Sequence, residues 1–154
     1  MKALYVLLQQ EKAGILEFIK TLREEQTALS QGDTNALEPL LTTKNRLIDE
    51  LNRLEAQRSA IAANAAVAPD RQGMTRWLEA QPQGKLLLPL WQEILVLAEE
   101  AKNIHLLSGK LIAEQLSRTS EALNILTGNP NRQSLYGSDG QSAGRSTPRI
   151  IDSA

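Results

Sequence analysis

The chain has 154 residues, with 17 basic and 18 acidic side chains, a formal net charge of −1, one histidine and no cysteine. This length allows one domain with a substantial core. The missing cysteines exclude disulfides, thiol catalysis and cysteine-based zinc sites, and a single histidine excludes a multi-histidine metal site, so no cofactor is expected. The charges form no basic block, and we therefore expect no nucleic-acid partner.

Aromatic residues are scarce, with one Phe, two Trp and two Tyr, while Leu and Ala are abundant. This composition favours long helices over strands and predicts an all-α fold. No apolar run approaches the roughly 20 residues that span a bilayer. Polar residues at positions 9–12 interrupt the N-terminal apolar pattern, whereas the apolar core of a signal peptide is continuous. We expect a soluble, cytoplasmic protein without membrane insertion.

The first predicted helix covers about residues 1–30. Its apolar side chains recur every seven residues, at Met1, Leu8, Ile15, Leu22 and Leu29. Such a narrow seam is typical of a coiled coil. Glu11 and Gln26 interrupt it.

The stretch "SQGDTN" at residues 30–35 predicts the end of one helix and the start of another. Gly32 suits a helix C-cap, and Asp33 suits an N-cap. The second helix is predicted over about residues 34–66, with Pro39 tolerated in its first two turns. Its seven-residue ladder consists of Leu40, Leu47, Leu54 and Ile61.

Pro69 and Gly73 are expected to end the second helix, and residues 74–80 to form a short helical turn with Trp77 and Leu78 facing inward. A third long helix is predicted over about residues 86–127. Its apolar seam contains Leu90, Ile94, Leu97, Ala101, Ile104, Ser108 and Leu111. The three long helices should pack as an elongated antiparallel bundle.

The apolar stripe of the third helix shifts in register after Leu111. It continues at Leu116, Leu123 and Leu126, with Ile125 nearby. At about 1.5 Å per residue this helix is longer than the other two by about ten residues, so the shifted leucines should lack a partner within the monomer. We interpret them as the contact surface for an amphipathic partner helix.

Residues 127–154 contain four Gly, two Pro and five Ser. A segment this poor in apolar residues cannot offset its ordering entropy, so residues 128–154 are predicted to be a flexible tail beside the helical bundle of residues 1–127. Within the tail, "SLYGSDGQ" at residues 134–141 carries an unusual Leu and Tyr.

Signatures of an enzyme are missing from the sequence. No phosphate-binding glycine loop or nucleophile elbow occurs, and His105 has no partner suited to base catalysis at helical spacing. The pairs Glu24–Glu25 and Glu99–Glu100 point in different directions on a helix and are interpreted as solvated surface. Trp91 is expected in the core. Apolar helix faces with a flexible tail indicate a binding protein without catalytic activity.

Three segments together resemble the FlgN family of flagellar export chaperones. "SLYGSDGQ" is similar to that family's Leu-Tyr-Gly segment, and "GDTNALEPLLTTKNRLIDELNRLEAQR" is similar to its second helix. "LWQEILVLAEEAKNIHLLSGKLIAEQLSRTSEALNIL" is similar to its third, although Ser108 stands where the family often has Asn before Gly. The resemblance covers nearly the whole chain.

The resemblance implies a chaperone that holds the hook–filament junction proteins FlgK and FlgL by their C-terminal helical regions, prevents their premature assembly and delivers them to the type III export gate. It implies that the segment around Tyr136 docks on the gate protein FlhA. The residues carried over for this docking are Leu135, Tyr136, Gly137 and Gly140. Another interpretation is that Leu135 and Tyr136 fold back over the end of the third helix.

A rival function from a different class is a structural coiled-coil scaffold that oligomerises without a secretion substrate. In that case the exposed seam would meet a second copy of the chain. A homodimer is left open by the sequence in either case.

Overall fold

The computed structural model describes residues 1–127, except for the side chains of Gln115 and Thr119. Within that range there are four helices and no strand, so the predicted all-α fold is confirmed. Their bounds are α1 Lys2–Gln31, α2 Thr34–Asn64, α3 Arg71–Ala80 and α4 Gly84–Thr127. Residues 1–111 form one compact unit, and residues 112–127 belong to a second.

The short third helix is where the boundaries differ from the prediction. Gly73 does not end the preceding helix but lies inside α3, where its N–H donates a 2.7 Å hydrogen bond to the N-cap Asp70. The break before α4 is also shorter than predicted. A Cβ at Gly84 would lie 2.0 Å from the Leu78 carbonyl oxygen, so only glycine lets α4 begin this close to α3.

Ion pairs between helices give the directions within residues 1–111. Arg46 pairs with Glu17 at 3.2 Å, and Arg58 pairs with Glu11 at 3.1 Å, so α2 runs antiparallel to α1. Between α1 and α4, the ion pair further along α1 is also the one further along α4, so these two helices are parallel. The two pairs are Lys12–Glu93 and Arg23–Glu100. The long helices therefore alternate up, down and up, as predicted.

The predicted seams supply most of the core. Buried ladder residues are Leu8, Ile15, Leu22, Leu29, Leu47, Leu54, Leu90, Ile94 and Ala101. Leu78 and Trp91 are buried as expected, and Trp77 is half-buried. Each fully buried Leu or Ile stabilises the fold by about 1.5–3 kcal/mol relative to exposure. These seams are thus the main source of stability for residues 1–111.

Two glutamates of α1 lie inside the core, contrary to expectation. Glu25, predicted on the solvated surface, is 6% exposed and accepts hydrogen bonds of 3.3 Å from Lys44. Glu11, predicted to interrupt the seam, is 4% exposed, and its two carboxylate oxygens share one bifurcated hydrogen bond from Arg58 Nε. A buried carboxylate is tolerated only when paired, and both pairs join α1 to α2.

Helices α1 and α2 end in the same backbone motif. After α1, Gly32 is left-handed with φ 68°, and the N–H of Asp33 donates to the Ala28 carbonyl. After α2, Ala66 occupies the equivalent position with φ 57°, and the N–H of Val67 donates to the Ala62 carbonyl. This is the Schellman arrangement, which normally takes glycine at the left-handed position.

Ala66→Gly is expected to stabilise the protein, because the left-handed conformation costs a residue with a Cβ about 1 kcal/mol or more. The free energy of unfolding from urea denaturation measures the gain. Gly32→Ala is the reverse substitution at the equivalent position after α1 and should lower the free energy of unfolding by a similar amount. Equal stability of Ala66→Gly and the parent chain would contradict the assigned backbone conformation.

Burial raises the pKa of the Glu11 carboxyl above its usual value of 4.5, and Arg58 opposes this rise only in part. The folded chain therefore keeps the Glu11 proton to higher pH than the unfolded chain. This contribution to stability is fully present below 4.5 and is lost as pH rises through the folded-state pKa.

Glu11→Gln should remove that pH dependence while keeping the shape of the side chain. We expect the melting temperature of the parent, relative to the variant, to fall as pH is raised through this window and then to stay constant. Glu17→Gln, at an exposed glutamate of the same helix, serves as the control. If the melting temperatures of the parent and of Glu11→Gln change with pH in parallel, Glu11 has the same pKa in the folded and the unfolded chain, which would contradict this prediction.

Candidate functional site

The C-terminal part of α4 presents a row of exposed apolar side chains. Their exposures are 43% for Ile112, 67% for Leu116, 56% for Leu123 and 82% for Leu126. At 3.6 residues per turn these four positions fall within an arc of about 80° on the helix. We call this set the α4 stripe. An aligned row of this kind on an exposed helix is a surface suited to a partner helix.

Local sequence explains why this segment is helical. Residues 112–127 contain no Gly or Pro and are rich in Ala, Leu and Glu, which favour helix. At its end, the Thr127 hydroxyl donates to the carbonyls of Leu123 and Asn124. The helix therefore holds the members of the α4 stripe in register with one another.

Ile112 is a member of the stripe that the sequence analysis missed. The seven-residue repeat from Leu116 to Leu123 does not include Ile112. The spacing of 4, 7 and 3 residues from Ile112 to Leu126 follows the 3.6-residue period of a straight helix. The 3.6-residue period therefore marks Ile112 in the sequence.

Ile125 does not share this surface, although it is close in sequence. It is 79% exposed and projects from the opposite side of α4, about 220° around the helix from Ile112. The charged residues Glu114, Arg118 and Glu121 lie on that same side. Ile125 is therefore a suitable control position for tests of the α4 stripe.

Ser108, the departure from the family pattern, is not a surface group. It is 2% exposed, and its hydroxyl donates a 3.1 Å hydrogen bond to the Ile104 carbonyl. Gly109 beside it is exposed, and a Cβ there would meet nothing within 4 Å. His105 is also exposed on α4. The Ser108 side chain thus serves packing within residues 1–111.

A groove between α2 and α4, floored by α1, was not foreseen from sequence. It has a volume of about 490 Å³, and its walls include Leu51, Leu95 and Lys102. Two of the polar residues that line it, Glu11 and Arg58, are paired with each other. Helical periodicity shows which face of α2 is apolar but not how far it stands from α4, so the groove has no signal in the sequence.

The tail residues predicted to dock on the export gate lie outside the described residues. They are Leu135, Tyr136, Gly137 and Gly140. Their role stays a prediction, as does the assignment of Leu116, Leu123 and Leu126 to substrate binding.

Two classes of site have no candidates in residues 1–127. Acidic side chains and the histidine form no group of three that could hold a metal ion in that range. None of the four described helices is long and apolar enough to cross a membrane.

Comparison with known proteins extends the interpretation to most of the chain. The family model for the FlgN protein matches residues 1–144. The flagella synthesis protein FlgN of Proteus mirabilis is 31% identical over 122 residues, which cover 78% of this chain and 76% of that protein.

A solved structure agrees with the fold as well. A Pseudomonas aeruginosa protein assigned as a flagella synthesis protein FlgN superposes with a TM-score of 0.67 at 29% identity, covering 82% of this chain and 97% of the other. Family match, curated relative and fold therefore point the same way, and this chain belongs to the FlgN family.

Proposed function

We propose that this chain is a cytoplasmic export chaperone for the hook–filament junction proteins FlgK and FlgL. It binds their C-terminal helical regions, prevents premature assembly and delivers them to the type III export gate. Membership of the FlgN family, whose Proteus mirabilis relative is a flagella synthesis protein, is the observation that carries this proposal.

The α4 stripe supports the binding step. Its four side chains are aligned and between 43% and 82% exposed, so they can be covered by an incoming amphipathic helix. Burying one Leu on binding contributes roughly 1.5–3 kcal/mol. In this proposal residues 1–127 carry the scaffold and the substrate surface, and residues 128–154 carry the docking segment.

The delivery step is assigned to residues 134–141. The family match extends through residue 144 and so includes this segment. Tyr136 offers a large ring with few rotatable bonds and a hydroxyl for a wet interface. Gly137 and Gly140 allow the backbone to turn into a pocket of FlhA. The complex with substrate would then dock at the export gate through this segment.

Replacing both Leu123 and Leu126 by Ser is expected to weaken binding of the FlgK C-terminal fragment about a hundredfold or more, because two apolar side chains no longer leave water on binding. Isothermal titration calorimetry measures the change. Circular dichroism should show nearly unchanged helicity, since both side chains are exposed in the free protein.

Ile125→Ser is the matched control for this test. It removes an apolar side chain of similar size from the same helical turns but from the charged side, so affinity should stay near that of the parent. If the double variant binds FlgK and FlgL as the parent does, the substrate surface lies elsewhere. A concentration-dependent dimer that binds neither protein would favour the coiled-coil scaffold instead.

Tyr136→Ala is expected to leave the chaperone–substrate complex intact and to reduce its binding to the cytoplasmic part of FlhA. Secretion of FlgK and FlgL should fall in parallel. Ser138→Ala, in the same segment, is the control and should behave as the parent. A pull-down with purified complex measures docking, and a secretion assay measures export.

The competing interpretation of Tyr136 gives a different outcome. If Leu135 and Tyr136 clasp α4, Tyr136→Ala should lower the melting temperature sharply or abolish substrate binding. Either result would contradict a docking role.

A further inference from the structure

We propose that residues 112–127 of α4 pack between two helices of the partner, and not alongside a single one. This inference rests on the proposed function, since it describes how the α4 stripe is covered. The occupant is therefore a two-helix element with apolar inner faces.

The distribution of charge in this segment is the first argument. The charged side chains among its described residues are Glu114, Arg118 and Glu121. On a helical wheel they fall within about 60° of one another, opposite the α4 stripe. The rest of the circumference can be covered by protein without burying a charge.

The residues flanking the stripe are the second argument. With Leu116 and Leu123 at the a positions of a heptad, Ala113, Ser120 and Thr127 fall at e, and Ala122 falls at g. All four are exposed. In two-stranded coiled coils these flanks usually carry charges that pair across the interface. Here the four named residues are small and uncharged, which lets helices approach closely where these residues lie.

The size of the interface is the third argument. Stable protein interfaces use about 20–30 residues on each side. A single helix laid along residues 112–127 would cover little more than the four side chains of the α4 stripe. Two helices would also cover both flanks, use most of the 16 residues of the segment, and so come nearer to that size.

Charges placed on the flanks test the proposal. Ala113→Glu lies on one flank and Ala122→Glu on the other, and each would put a carboxylate into an interface with one of the two helices. We expect each to weaken binding of the FlgK C-terminal region about tenfold or more in calorimetry. Ile125→Glu, which adds the same charge within the arc of Glu114, Arg118 and Glu121, should leave the affinity unchanged.

The outcomes separate this inference from the proposed function. If replacing Leu123 and Leu126 by Ser abolishes binding while both flank variants bind as the parent does, a single helix docks and the inference is overturned. A loss in only one flank variant also shows a single helix, leaning to that side. If none of these variants alters binding, the proposed substrate surface itself is wrong.

A second copy of the chain is the remaining occupant to exclude. Analytical ultracentrifugation of the free protein, with and without Ala113→Glu, measures this. A dimer in the parent that dissociates in the variant would show that the flanks meet another copy, and would overturn the proposal. An equal mass for both proteins, together with the affinity losses, supports it.

Discussion

Arg58 holds together segments of the chain that hydrophobic packing alone would leave free to slide. Its guanidinium donates to Glu11 of α1 and to the Pro69 carbonyl before α3, and it lies 4.8 Å from the ring centre of Trp91 in α4. The Trp91 indole in turn donates to Thr75 of α3 at 3.1 Å. Apolar ladders that repeat every seven residues can pack in several registers, whereas these polar contacts are satisfied in one. The cluster therefore favours a single register between the helices, and we regard this specificity as its main contribution.

Much of this fold could be predicted because helical periodicity and cap residues are local signals. Gly32 and Asp33 mark the turn between α1 and α2, and the Leu47 and Leu54 ladder marks the buried face of α2. Long-range features were harder. Glu25 lies between Leu22 and Leu29 on the apolar side of α1, but the partner that lets a carboxylate stay buried there, Lys44, is 19 residues away in α2. Gly73 was predicted to end α2, but it lies inside α3, where a Cβ would come within 2.2 Å of the Ala68 carbonyl oxygen.

The candidate surface was predictable only in outline. A leucine at 0% exposure, such as Leu54, and a leucine at 82%, such as Leu126, both belong to apolar stripes of similar spacing. What distinguishes them is whether another helix covers the stripe, which is a property of the whole chain. The flanks of the α4 stripe do carry local information, because small uncharged residues there are read directly from sequence. The tail residues around Tyr136 were marked by composition and by the resemblance of "SLYGSDGQ" to the Leu-Tyr-Gly segment of the family, and the family match through residue 144 adds to both.

The parallel arrangement of α1 and α4 has a consequence for the order of folding. Lys44 and Glu25 meet across 19 residues, whereas Lys12 and Glu93 meet across 81. Closing the longer loop costs roughly 1 kcal/mol more in chain entropy before any contact forms. The hairpin of α1 and α2 should therefore form early, during synthesis, and wait with its inner face open until α4 leaves the ribosome. In that interval the nascent chain exposes an uncovered apolar helical face, as do the substrates that the finished protein is proposed to bind.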